Sequence, residues 1–213
     1  GIFCHEFGHV LGLPDFYDTD GEGSGGLSAG LRGSSLMDEG CKLSTIPDFG
    51  APEFNLLGLG SCDTLRTGHY NLEPLSAGRR YLIASTSVKD EYFLFACQEG
   101  GLLVYHIDRS DNPAGYSGRQ DADLTARQRW ELGEVNDNPD FPCAVLLSAD
   151  PGATGLSGVP FPQPGCDSFG SDSPSAFRSR SGHPSEYALT NILSNADGSV
   201  SFEVIRPIVV SDL

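Results

Sequence analysis

The sequence predicts an α+β fold in which short helices gather near the N-terminus and strands fill the remainder. Three features predict it: a helical apolar period over Ile2 to Leu13, a second short helical run after Gly50, and, from about Leu65, apolar runs cut by Gly, Asn, Asp and Pro clusters. The division that follows is 1–64 for the helical part and 65–213 for a β-rich, sandwich-like part.

Each element has its own signal. Ile2, Phe3, Phe7, Val10, Leu11 and Leu13 recur at helical spacing, so IFCHEFGHVLGL is expected to form an amphipathic helix with one buried face, ended by Gly12 and Pro14. The run DTDGEGSGGLSAGLRG supplies no apolar core and reads as a surface loop. SSLMDEG reads as a turn, and Ala51 to Leu59 as a second helix, with Pro52 tolerated in its first turn. YLIAST, EYFLFACQ, LLVYHID, CAVLLSA and SVSFEVIRPIVV read as strands, while Pro151 to Gly182, rich in Pro, Gly and Ser, reads as a long irregular connection.

Composition excludes several classes. Apolar residues make up 38% of the chain and no run approaches the ~20 needed to span a bilayer, so no membrane span is expected. A net charge of −16 leaves no basic face for phosphate, which disfavours nucleic acid as a partner. Six cysteines are even in number but none are in C-x-x-C spacing, so a cysteine zinc site or redox pair is disfavoured and disulfides stay open. Cys4, inside the helical pattern, is expected to be a small buried thiol.

The chemistry sits at the start. His5-Glu6-Phe7-Gly8-His9 is H-E-x-x-H, and on a helix residues four apart share a face, so both imidazoles can hold one ion. Gly12 lets the backbone leave the helix sharply and swing Asp15 back as a third ligand. Three protein ligands with one open position suit a catalytic zinc site, with Glu6 as general base toward the ion's water and peptide hydrolysis as the reaction. A purely structural site would need a fourth ligand, for which His69 and Asp38 are the candidates.

The run HEFGHVLGLPDFYD, with SSLMDEG after it, resembles the immune inhibitor A family of secreted bacterial metallopeptidases in the metzincin clan. EYFLFACQ, GGLLVYHID, EVNDNPDFP, PFPQPG and TNILSNADGSVSFEV extend the resemblance over nearly the whole chain. It implies that 1–64 is the C-terminal part of a catalytic domain, comprising zinc helix, Met-turn and short helix, and that 65–213 is a β-rich domain. Met37, the sole methionine, would then pack beneath the metal ligands without coordinating. The chain departs from the family at Gly33-Ser34-Ser35, where a bulky aromatic is usual. It also has Glu39 where some metzincins carry a tyrosine that serves the oxyanion, which leaves Tyr17 as a substitute.

The expected function is that of a secreted or cell-surface zinc endopeptidase acting on extracellular protein or peptide substrates. The alternative is a β-rich adhesion or carbohydrate-contact module with a vestigial or structural metal site. Because Gly1 opens the chain four residues before the motif, it reads as a fragment beginning at the zinc helix, weakly active or inactive alone. Calcium is a second candidate cofactor, at Asp18-Thr19-Asp20-Gly21-Glu22 and near Asn136-Asp137-Asn138. His106 and Asp108 alternate onto one strand face, where a histidine satisfied by a hydrogen bond is the simpler reading; His69 and His183 read as surface residues, and Trp130 as a core anchor.

Overall fold

A computed structural model describes residues 1–98, 100–173 and 175–207. Among them the architecture is mixed α+β, with several short helices and three sheets. In chain order the elements are α1 (Ile2–Val10), α2 (Ala51–Leu57), β1 (Ser61–Thr64), β2 (Gly68–Leu72), α3 (Leu75–Gly78), β3 (Arg80–Ser85), β4 (Glu91–Gln98), β5 (Gly101–Asp108), β6 (Pro113–Ser117), β7 (Ala122–Thr125), α4 (Ala126–Leu132), β8 (Ala144–Leu147), β9 (Ala188–Ser194) and β10 (Val200–Ile205). No helix among the described residues is long and apolar enough to cross a membrane.

A five-stranded sheet in the order β1-β3-β4-β5-β8 forms the centre, antiparallel except for the parallel β1–β3 pair. Its side chains alternate with the pleat. Phe93, Phe95, Leu102 and Val104 face one core, shared with Leu72, Leu189, Val200 and Phe202 of the three-stranded sheet β2-β10-β9. Leu94, Ala96, Leu103, Tyr105 and Ile107 face the other, which also contains Leu13, Phe16, Leu31, Met37 and Phe54. This second core joins residues on both sides of position 64, and it is the floor on which the N-terminal elements sit. β6 and β7 form a separate two-stranded ribbon leading into α4.

Several expectations change. The first helix stops at Val10 and its apolar side is not buried: Phe3 is 82% and Val10 76% exposed, with Ile2, Phe7 and Leu11 also open to solvent. The face turned inward carries His5 and Gly8 instead. Once two imidazoles and a glycine take the protein-facing stripe, the 3.6-residue period sends the bulky residues outward. Cys4 is exposed for the same reason, and all six cysteines are free thiols. α2 ends at Leu57, where Gly58 adopts the left-handed conformation at φ 64°. The strand expected over SVSFEVIRPIVV runs only from Val200 to Ile205, and residues 208–210 of it lie outside the described residues. β1, β2, β6, β7, β9, α3 and α4 are not among the elements the sequence predicts; each is short or largely exposed. Over 151–182 the described residues hold only a 3-10 turn at Leu156–Gly158 and isolated bridges.

Candidate metal centre

His5 and His9, one helical turn apart on α1, have their rings 4.9 Å apart edge to face. Each ring is fixed through Nδ1, His5 by the Leu36 carbonyl at 2.8 Å and His9 by the Leu13 carbonyl at 2.9 Å. A carbonyl only accepts, so both Nδ1 atoms donate, and in the neutral ring the lone pair is left on Nε2. The two Nε2 atoms lie 3.0 and 3.4 Å from Asp15 Oδ1. That oxygen is buried and has no hydrogen-bond partner. The distances are those of ion pairs, yet three lone-pair donors facing one another repel unless a cation or an added proton lies among them. A divalent cation resolves this, and the donor set of two imidazoles and a carboxylate suits zinc.

The backbone that delivers Asp15 leaves α1 through Gly12, at φ +91°. SSLMDEG then serves both halves of the cluster with consecutive carbonyls: Leu36 holds His5, while Met37 accepts from the Phe16 amide at 2.8 Å. The Met37 side chain is fully buried against α1, and a Cβ added at Gly8 would fall 2.3 Å from its sulfur. The turn is secured in turn by Glu53 of α2, which accepts from the Ser35 hydroxyl and from the Gly50 amide. Burial pushes the Glu53 carboxyl up to about 7, against the lowering effect of the Ser35 and backbone hydrogen bonds. Asp38 beside it is also raised, by desolvation first.

Tyr17 stands 6.1 Å from the His5 ring and is hydrogen-bonded to Asp15. Desolvation, then the Asp15 charge and that hydrogen bond, raise its hydroxyl above the ordinary range. Glu6 is exposed on α1, adjacent in sequence to His5. Asn136, from the segment flagged for calcium, donates to the Phe16 carbonyl at 2.7 Å and to that of Ala144 at 2.8 Å, so a residue remote in sequence steadies the neighbour of Asp15. Its side chain also accepts from the Ala144 amide. The EVNDNPDFP composition gave no sign of that role.

The other sequence candidates are placed apart from this cluster. His69 is exposed on β2 beside Glu203, and Asp38 is buried accepting from the Gly33 amide; neither joins the group. His106 is hydrogen-bonded to buried Glu91 at 2.7 Å and stacks on Phe93. His183 is exposed and bonded to Ser181. Trp130 is only partly buried, its Nε1 donating to the Asp108 carbonyl at 2.7 Å. The two calcium segments meet: ligand atoms of Asp18, Asp20 and Asp137 lie within 4.8 Å of one another, and Asp20 Oδ1 is buried without a partner.

A cleft of about 890 Å3 opens beside His9 and Asp15 and continues past Leu56, Tyr92, Arg109 and Trp130. Tyr92 and Arg109 line this cleft, and the sequence offers no sign of it because each belongs to, or directly follows, a run that reads only as strand. Among curated proteins and solved structures none matches the chain. Residues 1–55, the stretch that holds α1, Asp15 and the Met37 turn, match the family model of the immune inhibitor A peptidase M6 catalytic domain, and over that stretch the chain is similar to this peptidase family.

Proposed function

We propose that the chain carries the metal site of a secreted zinc endopeptidase acting on extracellular proteins or peptides. The observation that supports this most is the convergence of His5 Nε2, His9 Nε2 and the orphaned, buried Asp15 Oδ1 within a segment similar to a peptidase family. In this reading His5, His9 and Asp15 hold zinc. Bound there, zinc supplies a Lewis acid for the substrate carbonyl and a lowered pKa for water. Glu6 takes the proton of the attacking water on its carboxylate and passes it to the leaving amine. Tyr17 orients Asp15 through their hydrogen bond. Met37 packs beneath the rings and fixes the height of α1 through Gly8. The domain division 1–64 and 65–213 belongs to the same proposal.

Calcium is proposed for the trio Asp18, Asp20 and Asp137, supported by the unpartnered, buried oxygen of Asp20.

Glu6→Gln in the full protein is the test. Zinc content should be retained while peptide hydrolysis falls by about two to four orders of magnitude, the usual worth of a general base. Unchanged hydrolysis would remove the enzymatic reading.

A second reading is supported by the extent of the match. It ends at residue 55, and every strand among the described residues lies after it. A β-rich adhesion or carbohydrate-contact module with a structural or vestigial metal would be organised in this way, and its binding would be indifferent to Glu6→Gln.

A further inference from the structure

The cleft beside the metal centre is walled by two arginines, and their surroundings differ. Arg127 is engaged within the protein: its Nε is 2.8 Å and its Nη2 3.1 Å from the two oxygens of Asp111, and Nη2 is 3.8 Å from Asp90. Arg109 forms no ion pair among the described residues. Its guanidinium lies 5.1 Å from the centroid of the Trp130 ring and is hydrogen-bonded to the Tyr92 hydroxyl. Both supports are themselves held. Trp130 is pinned through Nε1 to the Asp108 carbonyl and edge-on against Phe16, and Tyr92 accepts from Asn55 at 3.0 Å.

A guanidinium offers five N–H donors in a rigid planar fork. The cation–π contact with Trp130 uses none of them, and Tyr92 is the one hydrogen-bond partner shown for the guanidinium among the described residues, so the fork keeps donors to offer a ligand. Of the carboxylates that share the cleft, Asp15 belongs to the metal cluster and Asp90 faces Arg127; Glu131 is exposed on α4. The preorganised and uncompensated charge is therefore Arg109.

We infer that Arg109, seated on Trp130 and Tyr92, determines specificity by taking a carboxylate of the peptide substrate, either an Asp or Glu side chain or the peptide's own C-terminus. The inference rests on the cleft being the peptide-binding site of the proposed enzyme.

Trp130 is the sole tryptophan, so its fluorescence reports occupancy of the cleft without requiring hydrolysis. The protein is titrated with short peptides that differ only as Glu against Gln, and with one peptide as C-terminal acid against amide, each with and without zinc. At least one acid is expected to bind about five- to tenfold more tightly than its neutral partner, the range for a partly exposed charge-assisted pair. Which pair shows the preference identifies the source of the carboxylate. Arg109→Gln should bring the ratio close to one, and Arg109→Lys, which keeps the charge and loses the fork, should retain part of it. Equal binding of acid and neutral forms, no binding of any peptide, or a preference that survives Arg109→Gln overturns the inference. Its failure is separable from that of the peptidase reading: discrimination without hydrolysis sensitive to Glu6→Gln keeps the carboxylate subsite and removes the enzyme, and hydrolysis without discrimination does the reverse.

Discussion

At the scale of single residues, the centre depends on side chains that point the right way because something else constrains them. Neither imidazole is free to choose a tautomer, since Leu36 and Leu13 present carbonyls to both Nδ1 atoms. Glu53 shows what this support costs. Its folded-state pKa of about 7 lies above the ordinary 4.5, so the unfolded chain releases this proton first as pH rises. The contribution of the protonated group is thus fully present below about pH 4.5 and is lost as pH climbs toward about 7. Glu53→Gln, which stays neutral, is expected to lose less stability than the parent between about pH 5 and 8 in urea titrations. An equal slope in both proteins would show that Glu53 ionises freely in place. Residue by residue, the convergence of His5, His9 and Asp15 and the Gly12 bend between them were legible as a motif. Glu53 and Asn136 were not, because they support the cluster through contacts across the fold and no spacing encodes those.

At the scale of elements, periodicity identified the pieces better than it identified their orientation. β4 keeps its expected bounds because EYFLFACQ is apolar on both faces and both faces are covered. The sequence predicts α1 as a helix but turns it the wrong way, since hydrophobic pattern alone assigns the bulky side to the core. Two imidazoles anchored to carbonyls and a glycine fitted to Met37 decided the matter otherwise. The segment after Asp15 is likewise held from outside, by Asn136 through the Phe16 carbonyl. Asn136→Ala removes that grip without touching a candidate ligand. It is expected to weaken zinc affinity about tenfold, in the lower part of the range for outer-shell partners, as read by competition with a chromogenic chelator. Unaltered affinity would show that the Met37 carbonyl is sufficient to place Asp15.

Over the whole molecule, the central sheet carries a core on each face, and the one under the candidate metal centre draws on residues from Leu13 to Val159. The α+β class was legible, as were the principal strands. The sheet order was not, because β1, β2 and β9 are too short or too exposed to announce their partners. The acidic trio acts at the same range. Thr19 donates through its amide and its hydroxyl to Asp137, so the loop after the His5, His9 and Asp15 cluster is already tied to a segment far along the chain. Burial raises the Asp137 carboxyl, opposed by these same Thr19 bonds. A cation there would close the bridge and relieve the repulsion within a chain of net charge −16. Millimolar calcium is expected to raise the melting temperature by several degrees, and Asp137→Asn to abolish the increment. A melting curve indifferent to calcium and chelator would leave the trio as a plain hydrogen-bond acceptor.

The free sulfurs carry a consequence of a different kind. With no cystine to shorten any path through the chain, every loop is closed by noncovalent contact, and a reductant finds no bond to break. Oxidants meet two solvent-facing thiols, Cys4 beside the motif and Cys62 at the sheet edge, so covalent ageing of a stored sample would begin by coupling one molecule to another.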